Sequence, residues 1–261
     1  LNQKVALITG SATGLGKRTA LELASRGVNI VLNYITSQQE ARKLANYIQD
    51  TYKVNACAIR GDVSQYRDVQ EMVQQASEQM GKIDIIVNNA GPYIPERKNM
   101  VDYEIEDWQK MIDGNLNSVF YLSKLVIPSM RQQGWGRIIN IGFDRADTAP
   151  GWRFRSAFAA AKVGLVSLTK TLAIEEAEHG ITVNMICPGD ITQEYKEMSI
   201  EEVQMVWDTA TPIGRPGTGE DVSRVVSFLC EPRSDFITGS IIQVTGGKDV
   251  LNKYLYEEQK E

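Results

Sequence analysis

The sequence predicts an α/β protein: a single domain built on a doubly wound parallel sheet of about seven strands. Three observations predict it. Short apolar runs alternate with stretches whose apolar residues recur at helical spacing, the pattern of βαβ units. A glycine-rich turn, residues 9–16, follows directly on the first apolar run and opens a helical pattern. No linker rich in Pro, Gly or Ser, internal repeat or low-complexity block divides the 261 residues, a length that one large α/β domain can fill. The domain is expected over residues 1–250, with residues 251–261 as a polar C-terminal tail.

The first strand is expected at residues 4–9, where Val5, Ala6, Leu7 and Ile8 form the apolar run; the helix after the turn carries Leu15, Thr19, Ala20, Leu23 and Ala24. A second strand is expected at 28–33, followed by a helix with Ala41, Leu44, Ala45 and Ile48 on one face. A third strand at 55–60 leads to a helix marked by Val69, Met72, Val73 and Ala76, and a fourth strand falls at 83–88. A long helix is predicted near 106–131, with Pro128 bending or ending it, because proline lacks the amide donor and crowds the preceding turn. The fifth strand is expected at 137–141. A helix over 156–178 should then stop at Gly180, and strands at 182–187 and 240–244 complete the sheet. Residues 193–210, with Met198, Ile200, Val203, Val206 and Trp207, have an amphipathic pattern and are expected to form a short lid.

Composition narrows the class of protein. A chain that is 43% hydrophobic and 23% charged is an ordinary globule. No apolar stretch approaches the roughly 20 residues needed to span a bilayer, so no membrane partner is expected. Leu1-Asn2-Gln3-Lys4 runs straight into a strand and reads as carrying no signal peptide. Cys57, Cys187 and Cys230 are odd in number and widely spaced, as expected for reduced, buried thiols of a cytoplasmic protein. With His179 the only histidine, no metal site is expected; at a helix end it reads as a residue favoured by the dipole. A net charge of -5 gives no electrostatic footprint for nucleic acid.

The glycine turn carries the first chemical inference. In Thr9-Gly10-Ser11-Ala12-Thr13-Gly14-Leu15-Gly16, Gly10 permits a tight turn, Gly14 lets a pyrophosphate approach the backbone, and Gly16 lets helix and strand pack closely. Phosphates would then face unpaired N–H groups at the positive end of the helix. A purely structural turn is the alternative, but the position after the first strand favours a dinucleotide and a Rossmann-type sheet. At the end of the second strand stand Asn33 and Tyr34, with no acid to bond a ribose 2′-hydroxyl. The missing acid favours NADP(H) over NAD(H), although Thr13 is not a base and no arginine stands nearby; dual use stays open.

Further motifs give a family resemblance that covers essentially the whole chain: Asp62-Val63, Asn88-Asn89-Ala90-Gly91, Asn115, Lys162, and Pro188-Gly189-Asp190-Ile191-Thr192. Ile213-Gly214-Arg215-Pro216, Thr238-Gly239-Ser240 and Gly246-Gly247 extend it. With the glycine turn, this set resembles the short-chain dehydrogenase/reductase family, and in general character its 3-oxoacyl-carrier reductases. The resemblance implies a coenzyme site of Gly10, Ser11, Thr13, Gly14, Leu15, Gly16, Asp62 and Val63. Asn89, Ala90 and Gly91 would line it beside the central strand, and Pro188, Gly189, Ile191 and Thr192 would flank the nicotinamide. The plainer readings are a strand-end cap for Asp62 and a simple turn for Pro188-Gly189.

The resemblance also implies a catalytic Asn, Ser, Tyr and Lys acting together. Asn115 and Lys162 match, the latter also as a ribose ligand; a solvated helix lysine is its plain alternative. Phe158 stands four residues before Lys162, where the family has tyrosine, and Gly142-Phe143 stands where serine is expected. Phenyl donates no proton at any pH. Tyr93, Asp144 and Ser156 are the candidate replacements, with a substrate-wall aromatic, a loop turn and a helix cap as their plain readings. Phe143, Trp152 and Phe154 alternate with Arg145, Arg153 and Arg155. That wall suits a small-molecule carbonyl substrate or an acyl thioester on an anionic carrier, or equally a subunit interface. The resemblance further implies a homodimer or homotetramer paired through the two long helices, with Ala157, Ala160, Ala161 and Gly164 as a small contact face or an intrachain one. Two functions remain: an oxidoreductase with an altered proton donor, or a coenzyme-binding sensor or structural partner without turnover.

Overall fold

The structure, a computed structural model, describes residues 1–250; the tail expected at 251–261 lies outside the described residues. Seven strands form one parallel sheet in the order β3-β2-β1-β4-β5-β6-β7. They are β1 (Val5–Ile8), β2 (Asn29–Tyr34), β3 (Ala56–Arg60), β4 (Ile85–Asn88), β5 (Gly136–Ile141), β6 (Ile181–Pro188) and β7 (Ile241–Val244). Each falls within a residue or two of its expected position. The strands read as continuous apolar runs because both faces of the sheet are covered.

Alternate residues face opposite layers. Ala6 and Ile8 of β1 pack with Ile30, Leu32, Ile85 and Val87 against α1 (Gly14–Ser25), α2 (Gln38–Tyr52) and α8 (Gly219–Cys230). Val5 and Leu7 point the other way, onto α3 (Tyr66–Met80) and α5 (Ser118–Gln133). The expected helix faces hold: Ala41, Leu44, Ala45 and Ile48 are buried, as are Val69, Met72 and Ala76, while Val73 is half-buried. Helix α8 has no counterpart among the expected elements. Its signal was present in the Thr218 cap, which accepts from the Asp221 amide in a capping box, and in buried Val222, Val226 and Leu229.

The long helix expected near 106–131 is present over 105–133 but is not α-helical throughout. It divides into α4 (Ile105–Ile112), a π turn at Asp113–Asn117, and α5. The extra residue in the π turn carries Asn115 fully inside the protein (0% exposed). Pro128 lies inside α5 without ending it; it and Lys124 are on the exposed face, where the freed carbonyl can meet water. The helix stops at Gly134, which takes the left-handed conformation at φ 64°. Helix α6 (Ser156–Glu176) ends through a 3-10 turn at Gly180, as its sequence indicates.

Three expectations need correction. The segment Ser156–His179 is long and apolar enough to cross a membrane by length and composition, because its interior is rich in Ala, Leu and Val. Here Ala157, Ala161, Leu165, Val166 and Ala173 are instead buried within the fold. For the same reason the small residues form no single outer face: Ala157 and Ala161 point inward, Ala160 is exposed, and Gly164 lies against Leu116. The segment 193–210 is not an amphipathic helix either. It holds a 3-10 turn (Gln193–Lys196) and one helical turn, α7 (Ile200–Val203), in which only Val203 is buried; Trp207 is 79% exposed.

Candidate active site

The C-terminal ends of β1 and β4 meet where the strand order reverses, the position at which open α/β sheets bind ligands. A cleft of about 870 Å³ opens there, lined among others by Gly10, Thr13, Gly14, Leu15, Asp62, Val63, Asn89, Ala90 and Gly91. Gly10 and Gly14 take φ of 59° and 62°, which side-chain-bearing residues rarely adopt. A Cβ on Gly16 would lie 2.5 Å from the Gly10 carbonyl and 2.6 Å from Asn89 Nδ2. The turn is therefore closed around missing side chains.

Several residues expected to touch a ligand also brace the frame, and some of them do not line the cleft. Ser11 is fully buried; its hydroxyl donates to the Ile8 carbonyl (2.7 Å) and accepts from the Asn33 amide (3.1 Å). Asn33 accepts from Gly10 N–H at 3.0 Å and donates to the Gly61 carbonyl at 2.9 Å, tying the glycine turn to the loop after β3. Tyr34 is buried against Ala12 and Ala41. Neither residue lines the cleft, because both side chains at the end of β2 turn into the fold; Ile35 lines it instead. Asp62 accepts from the Ser64 amide and hydroxyl through Oδ1 (2.9 and 2.7 Å), the geometry of a capping turn, while also lining the cleft. Asn89 donates to the Thr9 and Gly10 carbonyls, and the Thr9 hydroxyl accepts from the Asn89 and Ala90 amides.

A second cleft of about 370 Å³ joins the first and brings the catalytic candidates together. Tyr93, Asn115, Phe143, Asp144, Phe158, Lys162, Pro188, Gly189 and Ile191 all line it. Thr192 is exposed and opens the 3-10 turn at the rim rather than lining the cleft. Lys162 is no solvated helix lysine: it is 4% exposed, its Nζ donates to the Ile141 carbonyl at 2.7 Å, and burial pushes its pKa down to about 8. Asn115 donates to the Met111 and Pro92 carbonyls at 3.0 Å each, and its Oδ1 is buried with no protein partner. A side chain on Gly91 would strike that oxygen.

Rings cluster around Phe158, beside the lysine. The Phe158 centroid is 5.8 Å from Lys162 Nζ, 5.3 Å from Tyr93, 6.0 Å from Phe143 and 6.0 Å from Trp152. Phe143 is buried against Trp152 at 5.0 Å. Three acidic side chains line this cleft, Tyr93, Asp144 and Asp190, the last paired with Lys248 at 3.4 Å. The Tyr93 hydroxyl accepts from Arg155 Nε at 2.6 Å. Asp144 is 5% exposed; burial raises its pKa although the Val250 amide donates to Oδ2 at 3.1 Å. Ser156 does not line the cleft; its buried hydroxyl has no partner and makes no cap.

The wall residues divide. Phe143 and Trp152 line the cleft, whereas Phe154 takes φ 66° beneath the Arg153 guanidinium, at 4.6 Å. Arg155 is a buried clamp that donates to the Pro95, Glu96 and Phe154 carbonyls, and Arg145 bonds Asp249. Arg145 and Ala149 also take positive φ, so this loop holds three non-glycine residues in strained backbone.

Sequence reasoning missed four residues here. Lys17 and Lys43 line a third cavity beside Thr13, between α1 and α2. Lys196 lines both clefts, and Glu197 bonds the glycine turn. Lys17 was visible as a base directly after Gly16. Glu197 was not, because 183 residues separate it from Gly14. The thiols match expectation in part: Cys187 and Cys230 are buried, with pKa values pushed up to about 12, and Cys57 is half-buried at about 11. No cluster of potential metal ligands occurs among the described residues.

Comparison with known proteins agrees with this geometry. A family profile described as enoyl-(acyl-carrier-protein) reductase matches residues 10–249. The Bacillus subtilis protein named "Putative oxidoreductase YtkK" is 49% identical over 95% of this chain and 97% of its own length. The 3-oxoacyl-(acyl-carrier-protein) reductase FabG of Haemophilus influenzae is 36% identical over 94% of this chain and 97% of its own. Among solved structures, one titled as a putative 3-oxoacyl-reductase from Bacillus thuringiensis superposes with a TM-score of 0.88 at 50% identity, covering 95% of this chain and 99% of that one. The acetoin dehydrogenase YohF of Salmonella typhimurium gives 0.86 at 30% identity, over 96% and 97%. The chain belongs to the short-chain dehydrogenase/reductase family and is an oxidoreductase of that family.

Proposed function

We propose that the protein is an NADP(H)-dependent carbonyl reductase acting on a 3-oxoacyl-thioester-like substrate, with its proton donor moved away from the family's tyrosine position. The observation that carries this reading is the buried Lys162 ammonium lying beside the Phe158 ring, one helical turn away, within a cleft that retains Asn115. The frame of a reductase site is kept, and the ring at the hydroxyl position carries no proton to give.

The residues fit a nicotinamide dinucleotide. Gly10, Gly14 and Gly16 form a cradle that side chains would fill, and the orphaned Asn115 Oδ1 marks a polar floor beside Lys162. Gly10, Thr13, Gly14, Leu15 and Gly16 would face the pyrophosphate, and Asp62 and Val63 the adenine. Asn89, Ala90, Gly91, Pro188, Gly189 and Ile191 would enclose the nicotinamide end, with Lys162 on its ribose. The cavity lined by Lys17 and Lys43, which Glu40 and Glu197 share, could seat a 2′-phosphate once Lys17 is released from Glu197, and on that ground NADP(H) is the proposed coenzyme. When bound, the group supplies hydride.

The chain's own residues must hold the carbonyl oxygen and give it one proton. We assign this role to Tyr93, which lines the cleft. Its oxygen accepts from the Arg155 guanidinium, which leaves its own proton directed elsewhere. Asp144 is the second donor: its buried carboxyl keeps a proton to higher pH than an exposed one. Phe143, Trp152 and Phe158 form an apolar wall that excludes water from the reacting carbonyl. Exposed Trp108 on α4 and Phe120 on α5 are consistent with a homodimer or homotetramer of a cytoplasmic enzyme.

NADPH oxidation with 3-oxoacyl thioesters tests the reading. Tyr93→Phe should lower kcat by about 10²-fold or more, and Asp144→Asn should lower it little. The reverse order moves the donor to Asp144. A second reading, coenzyme binding without turnover, is favoured by the loss of both expected hydroxyls at Phe143 and Phe158; it would be established by coenzyme binding with no oxidation on ketones, 3-oxoacyl thioesters or pterins.

A further inference from the structure

We propose that Glu197 is a removable internal anion. It caps the glycine turn of the free protein, must leave before a dinucleotide binds, and so sets coenzyme affinity. The proposal rests on the coenzyme reading above.

Helix α1 lacks a local cap. Thr13 makes no side-chain bond, and no acid stands in the first turn, so the N–H groups opening the helix need partners from elsewhere. One partner arrives from 183 residues away: the Gly14 amide donates to Glu197 Oε1 at 2.7 Å, and Lys17 Nζ donates to Oε2 at 2.5 Å. Both carboxylate oxygens are thus engaged by the turn the glycine pattern prepares for a phosphate. Partial burial opposes ionisation here, but Lys17 and the Gly14 amide outweigh it and hold the Glu197 carboxyl below the usual range. The group is an anion at neutral pH, held by the donors that a pyrophosphate would need. The single Gly14 N–H is already taken by the carboxylate, and a phosphate brought to the same amide would meet its like charge, so the carboxylate competes directly with the ligand.

The surroundings let the side chain leave without unfolding its segment. Glu197 is 39% exposed. The chain on its C-terminal side is fixed independently: Ser199 and Glu202 form a capping box, the Ile200 amide donates to Glu220 at 2.8 Å, and Arg18 pairs with Glu220 at 3.1 Å. The Lys196 carbonyl packs so closely on Gly219 that a side chain there would collide with it. A rotation of the Glu197 side chain therefore frees Gly14 and Lys17 while the backbone stays in place. Lys196 lines the same cleft, its aliphatic stem against Gly14 and its Nζ donating to Gln193 Oε1 at 3.1 Å.

The test compares wild type, Glu197→Gln and Glu197→Ala by calorimetric titration with NADPH, NADH and inorganic pyrophosphate, with melting temperature as a control. Both variants should bind all three anions about tenfold more tightly than wild type, and their free forms should melt no higher than wild type. A merely structural cap predicts lower melting with unchanged or weaker binding, and it is the unchanged or weaker binding that overturns the proposal. If one variant folds poorly, the other decides. Binding to neither wild type nor variants overturns the coenzyme reading and this proposal with it, whereas equal binding to all three overturns this proposal alone.

Discussion

Replacing Phe158 by tyrosine puts a hydroxyl into the cleft, and the surroundings of the ring bear on the size of the effect. Phe158 stands one turn of α6 before Lys162, with its centroid 5.8 Å from Nζ. Burial has pushed that ammonium down to about 8, so it is largely charged at pH 7 and would favour the phenolate left after proton transfer. General acid catalysis is typically worth about 10²–10⁴ in rate, or roughly 3–5 kcal/mol of barrier. The cost to the fold is small, because Phe158 is half-buried and already lines the cleft. Phe143→Ser is a different matter. Phe143 is 5% exposed and packs 5.0 Å from Trp152, so its removal would cost about 3–5 kcal/mol, a large part of a typical domain's stability. The single Phe158→Tyr variant is therefore the cleaner experiment. Measured as NADPH oxidation with an unactivated ketone, kcat/KM should rise about 10²-fold or more. A variant that folds and binds coenzyme normally yet shows no gain would refute the placing of Phe158 at the family's tyrosine position.

Two further outcomes follow from the site. Lys162→Met removes a buried cation whose pKa is lowered to about 8 from 10.5. The folded protein releases that proton before the unfolded chain does, so wild-type stability should rise relative to the variant as pH increases from about 8 to 10.5. The gain should be up to about 3 kcal/mol in urea unfolding; a pH-independent difference would show that Lys162 is not desolvated. Gly16→Ala places a Cβ against the Gly10 carbonyl and the Ser11 backbone. It should cost at least about 1–3 kcal/mol of stability together with coenzyme affinity, and a variant as stable and as tightly binding as wild type would contradict the close approach.

The sheet was legible because its strands are apolar on both faces and each is closed off by turn residues, so all seven could be placed from Val5 to Val244. The helix breaks were less so. Nothing in the local pattern around Asp113–Asn117 distinguishes a π turn from a continuous helix; the turn arises where Asn115 is drawn in to bond the Met111 and Pro92 carbonyls. Residue roles near the glycine turn depended on direction rather than spacing. Asn33 and Tyr34 stand at the expected strand end, yet their side chains brace the fold. Lys162 and Phe158 were readable because a four-residue offset on a helix fixes a shared face. The Glu197 contact with Gly14 and the Arg155 contact with Tyr93 join residues 183 and 62 positions apart, and only tertiary packing creates them.

Titration of the unmodified protein with NADPH, followed calorimetrically, tests most directly whether this fold has kept a working coenzyme cleft around Lys162 and Phe158. One saturable site per chain, with weaker binding of NADH, is the predicted result. No heat of binding from either nucleotide up to roughly millimolar concentration would contradict the account.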